Sequence, residues 1–318
     1  MKTQYVTCDV FTTQAFGGNQ LAVFPDATGI PEAHLLPITR EFNYSETTFC
    51  YPPADPAHTR RVRIFTPGGE VPFAGHPTVG TAHALVATGA VRASGSRADL
   101  VLEEGVGPVR VTVTLVGGMP VFSQLTAAKL PEIGPPPPSR GVLAKMLSLE
   151  SSDLVFGSLA PQAISCGLPF LVVPVRDMAA VSRARVRLER WEPTLKAYWA
   201  RDILVFAADP EGGPTHCRAR VFVPGFSVPE DPATGSANAC LAGYLAVRAP
   251  ERDATLRWSV DQGIEMGRPS RLELEADKAA GVVTAIRVGG STVMVSAGEM
   301  IIPDERPETG DSTQIRKL

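Results

Sequence analysis

Residues Arg61-Val-Arg-Ile-Phe-Thr-Pro-Gly-Gly-Glu-Val-Pro72 recur in altered form as Arg218-Ala-Arg-Val-Phe-Val-Pro-Gly-Phe-Ser-Val-Pro229. Seven of the twelve aligned positions are identical, at an offset of 157 residues. The same offset aligns Phe49 with Phe206. The chain has 318 residues, so this offset is close to half its length. A repeat on that scale indicates a duplicated domain.

A proline-rich segment separates the two copies. Residues 131–139 include four consecutive prolines, which favour extended polyproline II structure and exclude a helix or a central strand. We therefore expect an N-terminal domain over residues 1–130, a linker over 131–139 and a C-terminal domain over 140–297. The final segment, about 298–318, is expected to complete the N-terminal domain.

Short strands surround one small-residue helix in each half. Strand-like runs cover residues 5–11, 21–24, 62–65 and 109–115, and then 170–175, 203–207, 219–222 and 282–288. The central helices are predicted near 77–88 and 233–248, with further helices near 142–147 and 194–199. Strands and helices do not alternate regularly, so the pattern predicts an α+β fold. Each half is expected to be a mostly antiparallel sheet around its central helix.

Composition and charge exclude several classes of partner. The formal net charge is −3, which supplies no basic field for nucleic acid or for an anionic membrane surface. No apolar run approaches the ~18 residues that a membrane-spanning helix requires. The sequence therefore predicts a cytoplasmic globular protein without nucleic-acid or membrane partners.

The cysteines and histidines show no metal-binding pattern. Five cysteines are scattered along the chain without a C-x-x-C pair, and the five histidines form no H-E-x-x-H pair. An odd number of dispersed cysteines is typical of reduced thiols in a cytosolic protein. We predict neither a disulfide framework nor a metal site.

Two glycine-containing loops lead into the predicted central helices. They are Phe73-Ala-Gly-His-Pro-Thr-Val-Gly-Thr81 and Glu230-Asp-Pro-Ala-Thr-Gly-Ser-Ala237. The first N–H groups of a helix are unpaired and carry partial positive charge, so such an end binds a carboxylate or phosphate readily. Packing of the two halves would direct both helix ends at one cleft, which favours a small anionic substrate. The alternative is two ordinary capped helices, with Asp231, Thr234 or Ser236 as the capping residue.

Neither loop matches a nucleotide-binding or hydrolase motif. The segment from Gly75 to Gly80 lacks the G-K-[ST] ending of a Walker A loop, and no G-x-G-x-x-G follows a strand. A G-x-S-x-G sequence is also absent, which argues against an α/β-hydrolase.

Four motifs resemble those of the PhzF-like proteins, which belong to the diaminopimelate-epimerase fold superfamily. They are Phe16-Gly-Gly-Asn-Gln-Leu-Ala-Val23, Asn43-Tyr-Ser-Glu-Thr-Thr-Phe49, Phe73-Ala-Gly-His-Pro-Thr-Val-Gly-Thr-Ala82 and Glu230-Asp-Pro-Ala-Thr-Gly-Ser-Ala237. Gln262-Gly and Met266-Gly-Arg-Pro-Ser270 also fit the pattern. The resemblance implies two pseudo-symmetric domains with the active site in the cleft between them. It also implies a homodimer that uses no metal or organic cofactor.

The resemblance assigns roles to individual residues. Glu46 falls on the catalytic acid/base position of the family, and His76 and Asp231 fall on further catalytic positions. The expected substrate-binding residues are Asn19, Ser45, Gly75, Thr78, Thr234, Gly235 and Ser236. The family's namesake isomerase moves a proton on 2,3-dihydro-3-hydroxyanthranilate, and we expect a reaction of that type here.

The local sequence is compatible with this role for Glu46. A carboxylate acts as a base near neutral pH only where burial raises its pKa above the usual ~4.3. Glu46 lies between Tyr44 and Phe49 in a segment whose composition favours burial. Its alternative is an outward-facing glutamate on a strand. His76 alone would more often be a packing histidine, and Asp231 alone a helix cap.

Two departures from related patterns narrow the function. Gln20 stands where the family usually has proline, which alters a loop and not the chemistry. The helix entries carry no pair of cysteines, which argues against a two-thiolate racemase. The sequence therefore predicts a cofactor-independent isomerase of a small cyclic or unsaturated carboxylic acid. A non-thiol epimerase or racemase, and a small-molecule-binding protein without turnover, remain as alternatives.

Overall fold

The sheet of the protein contains eighteen strands in the computed structural model, which describes residues 1–303 except 214 and 227. The strands are β1 (Lys2–Val10), β2 (Asn19–Phe24), β3 (Glu46–Tyr51), β4 (Arg60–Thr66), β5 (Gly69–Val71), β6 (Arg97–Glu104), β7 (Gly107–Val116), β8 (Met119–Thr126), β9 (Glu132–Ile133), β10 (Gln162–Ser165), β11 (Pro169–Pro174), β12 (Asp202–Ala208), β13 (His216–Val223), β14 (Val228–Asp231), β15 (Ala254–Gln262), β16 (Ser270–Ala279), β17 (Val282–Gly290) and β18 (Thr292–Ile301). The α-helices are α1 (Glu32–Phe42), α2 (Gly75–Ala87), α3 (Arg140–Met146), α4 (Met178–Arg183), α5 (Leu188–Leu195) and α6 (Gly235–Arg248).

The same order of strand pairing occurs twice. In the first half the order is β18–β1–β2–β3–β4–β6–β7–β8, and β5 pairs with β4. In the second half the order is β9–β10–β11–β12–β13–β15–β16–β17, and β14 pairs with β13. The parallel pairs β2–β3 and β4–β6 of the first half correspond to β11–β12 and β13–β15 of the second. Antiparallel pairing of β8 with β17 joins the halves.

Each half is built around one buried helix. Residues Gly75 to Val86 of α2 are all buried, and most of α6 is buried as well. A helix that is buried on every side lies in the middle of a core, and small residues let the surrounding strands pack closely against it. The sheets, mostly antiparallel, supply the surrounding apolar side chains. The predicted α+β fold is confirmed.

Most of the predicted elements are present with small shifts at their ends. The helices predicted near 77–88 and 233–248 begin at Gly75 and Gly235. The helix predicted over 194–199 is wrong: α5 covers Leu188–Leu195, because Trp191 and Leu195 are one helical turn apart and are both buried. No helix in the described ranges is both long and apolar enough to cross a membrane.

The domain boundaries remain a prediction, although two pairings bear on them. β18 pairs with β1 from Thr292 onward, earlier than the expected segment 298–318, of which 304–318 lie outside the described residues. Within the proline-rich segment, β9 pairs with β10.

The first turns of the two central helices touch through glycine. A Cβ added to Gly75 would lie 2.6 Å from the Cα of Gly235 and 2.7 Å from the backbone nitrogen of Ser236. A Cβ added to Gly235 would lie 3.0 Å from the Cα of Gly75. Only glycine permits backbones to approach this closely. The predicted convergence of the helix N-termini is confirmed.

We predict that Gly75→Ala lowers the free energy of unfolding by about 1–3 kcal/mol, because the added methyl group overpacks this contact. Urea denaturation monitored by circular dichroism measures the change. Gly141→Ala is the matched control: Gly141 is also in the first turn of a helix, α3, but a Cβ there meets nothing within 4 Å. The control should be neutral or stabilising by up to about 1 kcal/mol. Equal stability of Gly75→Ala and wild type would contradict the close contact.

Candidate active site

A cavity of about 590 Å³ opens beside the paired helix ends. Its lining combines residues of both halves. These are Asn43, Tyr44, Ser45, Glu46, Thr66, Pro67, Gly68, Val71, Pro72, Phe73, Ala74, Leu168, Phe170, Val223, Val228, Asp231, Thr234 and Ser236. The two ionisable carboxyl groups of this lining are those of Glu46 and Asp231.

The structure brings the predicted site residues into one region, with unequal access to the cavity. Ser45, Glu46, Asp231, Thr234 and Ser236 line it. Asn19, Gly75, His76, Thr78 and Gly235 lie behind that lining, and all five are buried. The second group therefore supports the cavity wall instead of forming its surface.

Glu46 is the first residue of β3 and faces inward. Its side chain is 17% exposed, and its buried Oε2 lies 3.3 Å from Nε2 of His76. Parallel pairing with β2 sets Glu46 opposite Leu21, two residues from Asn19 at the start of β2. Burial raises the pKa of Glu46 well above its ordinary value, and the nearby Asp231 carboxylate raises it further. The outward-facing alternative is wrong.

His76 stands in the first turn of α2 and is almost completely buried. Burial lowers the pKa of His76 to about 3, and a hydrogen bond with the backbone of Gln20 opposes that shift only in part. The imidazole is therefore neutral at physiological pH. Glu46 Oε2 therefore faces a neutral imidazole, with 3.3 Å between Oε2 and Nε2 of His76.

Asp231, the last residue of β14, accepts hydrogen bonds from three side chains. Asn19 Nδ2 donates at 2.9 Å, Thr234 Oγ1 at 2.5 Å and Ser45 Oγ at 3.5 Å. Burial raises the pKa of Asp231 to about 6, while these three hydrogen bonds oppose the rise. Burial thus raises the pKa of both Glu46 and Asp231, but only Asp231 has side-chain hydrogen bonds that oppose the rise. Unequal surroundings that give two neighbouring carboxyl groups different pKa values are typical of acid/base sites.

Asp231 lies where the two copies of the repeat differ in length. Val71 and Val228 are 157 residues apart, whereas the first residues of α2 and α6, Gly75 and Gly235, are 160 apart. The second copy thus has three additional residues just before its helix. That insertion places a carboxylate beside the helix entry of one half only.

Asn19 connects the acids to the second helix entry. Its Nδ2 donates to Asp231 Oδ1 and, at 3.0 Å, to the carbonyl oxygen of Ala233, and lies 3.1 Å from His76 Nδ1. The two hydrogens of the amide nitrogen are thereby used by Asp231 and Ala233. The expected part of Asn19 in substrate binding remains a prediction, and its contacts in the structure are with His76, Asp231 and Ala233.

The loop that presents Asn19 is held by Arg268. The guanidinium donates to the carbonyl oxygens of Gly17 and Gly18 and pairs with Asp9 at 2.6 Å. Gly18 has φ +60°, and a Cβ there would lie 2.3 Å from the carbonyl oxygen of Val10. The first motif therefore requires glycine at this position for a structural reason.

Thr78 is not part of the cavity lining, and its expected part in substrate binding remains a prediction. It is fully buried, and its Oγ1 lies 2.8 Å from the carbonyl oxygen of Ala74 and 2.7 Å from Glu104 Oε1. A hydroxyl has one hydrogen, so it cannot donate to both. If Thr78 donates to Ala74, Glu104 must be protonated and donate to Thr78. Burial raises the pKa of Glu104 to about 8, in agreement with a protonated carboxyl.

Gln262, whose role was not predicted, is the counterpart of Glu104 behind the second helix entry. Each is the last residue of its strand, β15 or β6, and each contacts the fourth residue of the neighbouring helix. Gln262 Nε2 donates to the carbonyl oxygen of Asp231 at 2.8 Å and to Thr234 Oγ1 at 3.1 Å. Its Oε1 accepts from Asn238 Nδ2 at 2.8 Å. The motif Gln262-Gly was the available signal, since a buried glutamine needs several partners.

The five cysteines are buried, and the described lining of the cavity contains none of them. Burial raises the pKa of Cys217 to about 11 and that of Cys50 to about 12. These thiols are therefore protonated at neutral pH and are poor nucleophiles or bases.

Comparison with known proteins agrees with the fold and the motifs. A model of the phenazine biosynthesis-like protein family, PhzC-PhzF, matches residues 8–298. An uncharacterized isomerase of Mesorhizobium japonicum is 38% identical over 94% of this chain and 98% of its own length. The trans-2,3-dihydro-3-hydroxyanthranilate isomerase of Pseudomonas fluorescens is 32% identical over 94% of this chain and 99% of its own length.

A solved structure of a PhzF-family protein has the same fold over almost the whole chain. The PhzF-family phenazine biosynthesis protein of Bacillus anthracis superposes with a TM-score of 0.83 at 25% identity, covering 95% of this chain and 100% of that one. Fold and relatives together define the class of the protein, which is that of an isomerase. The chain belongs to the phenazine biosynthesis-like, PhzC-PhzF, family.

We predict that Glu104→Gln changes the pH dependence of stability. The pKa of Glu104 is about 8 in the folded protein against 4.5 ordinarily, so the folded state alone holds this proton between those values. The wild type should therefore lose stability as pH rises from about 4.5 to 8, by on the order of 2–4 kcal/mol. The glutamine variant lacks this proton and should not show that loss.

Urea denaturation at pH 5 and pH 8.5 measures the difference. Glu41→Gln, on the exposed side of α1, is the control for removal of a carboxyl group. Parallel pH dependence of the wild type and Glu104→Gln would show that Glu104 is ionised in the folded protein.

Proposed function

We propose that this chain is a cofactor-independent isomerase that transfers a proton within a small cyclic or unsaturated carboxylic acid, with Glu46 as the acid/base. One observation carries the proposal. The buried Glu46 carboxyl lines the cavity beside both helix entries and contacts the neutral His76 at 3.3 Å. A carboxyl group whose pKa is raised by burial is a stronger base once ionised and a ready acid while protonated.

The proposed reaction exchanges one C–H bond for another. The Glu46 carboxylate removes a proton from a carbon adjacent to the conjugated system, and the electron pair of that bond moves into the conjugated system. Protonated Glu46 then delivers the proton to a different carbon of the same system. The product is an isomer of the substrate, with no net oxidation and no group transferred. His76 contacts the Glu46 carboxyl and holds it beside the cavity.

Binding of the carboxylate is assigned to the two helix entries. Unpaired backbone N–H groups and the partial positive charge at the start of α2 and α6 favour an anion there. The described lining contains no lysine, arginine or histidine. The backbone is therefore the source of positive potential near the reacting group, with Thr234 and Ser236 as hydroxyl partners.

The identity of the substrate is part of the proposal. Three curated relatives, from species of Pseudomonas, are named trans-2,3-dihydro-3-hydroxyanthranilate isomerases and are 31–32% identical to this chain. That level of similarity supports a 2,3-dihydro-3-hydroxyanthranilate-like acid as the first candidate.

A second candidate is epimerisation of a chiral acid. It is favoured by the presence of two carboxyl groups with separated pKa values, Glu46 and Asp231, on one cavity. Two acids can remove and deliver a proton on the same carbon. Loss of optical rotation without a change in ultraviolet absorption would identify this reaction.

The expected homodimer, the cytoplasmic location and the lack of nucleic-acid and membrane partners remain predictions. Light scattering of the purified chain gives its mass in solution, and a mass of twice 33.8 kDa would support the dimer.

We predict that Glu46→Gln abolishes solvent proton exchange. A panel of cyclic and unsaturated carboxylic acids is incubated with the protein in D₂O and analysed by NMR for deuterium at carbon. The wild type should label its substrate, and Glu46→Gln should reduce the rate by about 10²–10⁴-fold because the acid/base is lost.

Glu41→Gln again serves as the control and should label at the wild-type rate, because Glu41 lies on the exposed surface of α1. Equal labelling by wild type and Glu46→Gln would remove Glu46 from the mechanism. If no acid in the panel binds with exchange but several stabilise the protein thermally, a binding protein without turnover is the better description.

A further inference from the structure

One motif of the sequence, Met266-Gly-Arg-Pro-Ser270, has no part in the proposed reaction. It lies in the second half of the chain, where β15 ends and β16 begins, and none of its residues belongs to the described lining of the cavity. The side chain of its arginine, Arg268, reaches into the first half.

Arg268 holds three consecutive residues of the loop before β2. Its Nε donates to the carbonyl oxygen of Gly18 at 2.7 Å, and a terminal nitrogen donates to the carbonyl oxygen of Gly17 at 2.5 Å. The same terminal nitrogen pairs with Oδ1 of Asp9 at 2.6 Å, and Oδ2 of Asp9 accepts from the backbone nitrogen of Phe16 at 2.6 Å. One guanidinium thus fixes the backbone of the loop, partly through Asp9.

The loop depends on these contacts because its backbone is unfavourable. Phe16 has a φ of +72°, in the left-handed region that disfavours residues with a side chain. The Phe16 side chain is 75% exposed, so its packing contributes little. The polar contacts of Arg268 and Asp9 therefore supply the stabilisation that the side chain does not.

Asn19 follows directly after this loop and depends on its position. Both hydrogens of Asn19 Nδ2 are donated, to Asp231 Oδ1 at 2.9 Å and to the carbonyl oxygen of Ala233 at 3.0 Å. A displacement of about 1 Å would take the first contact out of hydrogen-bond range. That bond is one of three that oppose the rise in the pKa of Asp231.

We propose that Arg268 is a positioning residue: by holding Gly17 and Gly18 it fixes Asn19 as a donor to Asp231, and it thereby sets the proton affinity of that carboxyl group. The inference rests on the proposed function for the part of Asp231 in catalysis. It adds that an arginine outside the cavity tunes one of the two acids from across the boundary between the halves.

The other titratable groups near Asp231 are known from the structure. They are Glu46 on β3, His76 on α2 and Glu230, which precedes Asp231 on β14. Glu230 is paired with Arg220 on β13 at 2.7 Å. The variants described next leave all of these groups in place.

Arg268→Ala should raise the pKa of Asp231 by about 1, because a hydrogen bond to the ionised form is lost. Carbon-13 NMR of the side-chain carboxyl groups, recorded on the full chain between pH 4 and pH 8, measures this pKa. The Asp231 signal is assigned by its absence from Asp231→Asn. Arg271→Ala is the matched control, since Arg271 bonds Asp261 through its side chain, and it should leave the pKa unchanged.

Two double variants separate positioning from charge and from misfolding. Asn19→Ala removes the donor itself, so adding Arg268→Ala to it should raise the pKa no further, because the two residues act in series. Asp9→Asn combined with Arg268→Met removes both charges of the ion pair and leaves no unpaired buried carboxylate. This pair should give the same rise as Arg268→Ala, and circular dichroism shows whether each variant is folded.

The outcomes separate this inference from the proposed function. The inference is overturned by an unchanged pKa in Arg268→Ala, by a further rise in the Asn19→Ala background, or by no rise when both charges are removed. A rise that follows the expected pattern, in a protein that exchanges deuterium on no acid, supports the inference and defeats the proposed isomerase activity. Exchange by the wild type together with an unchanged pKa in Arg268→Ala defeats the inference alone.

Discussion

The contact of Gly75 with Gly235 is the constraint on which the site depends. A side chain at either position would push the starts of α2 and α6 apart, because the backbones meet at van der Waals distance. That contact brings the ends of two helix dipoles to one cavity, and it sets the loop with Asp231 beside the strand with Glu46. The positive potential of the two helix starts and the acidic side chains of Glu46 and Asp231 therefore meet at one cavity. Each half of the chain contributes one helix start and one acid.

The two halves share the same contacts behind their central helices but differ in the side chains near the cavity. Behind α2, Thr78 contacts Ala74 and Glu104, and behind α6, Asn238 contacts Thr234 and Gln262 in the same arrangement. The halves differ in what they present to the cavity. One half supplies Glu46, with the neutral His76 behind it, and the other supplies Asp231, which accepts hydrogen bonds from three side chains. An asymmetric pair of acids on a symmetric frame is suited to moving a proton between two positions.

The repeat and the loop motifs were sufficient to predict the fold class, the central helices and the convergence of their ends. The resemblance to the PhzF-like proteins, and not the repeat, implied that Glu46, His76 and Asp231 belong to one site. The contributions of Asn19, Thr78 and Gln262 could not be predicted, since they depend on which buried polar groups face one another across the sheet. The helix α5 was predicted six residues too late, because its start at Leu188 depends on the burial of Trp191 and Leu195 in the folded protein.

A crystal structure with bound benzoate tests the central claim most directly. The account predicts the carboxylate at the paired helix entries, within hydrogen-bond distance of Thr234 or Ser236, which line the cavity there. It also predicts the ring beside the Glu46 carboxyl, with the Glu46–His76 contact kept. A carboxylate bound outside these helix entries, or a Glu46 side chain turned away from the ring, would contradict it.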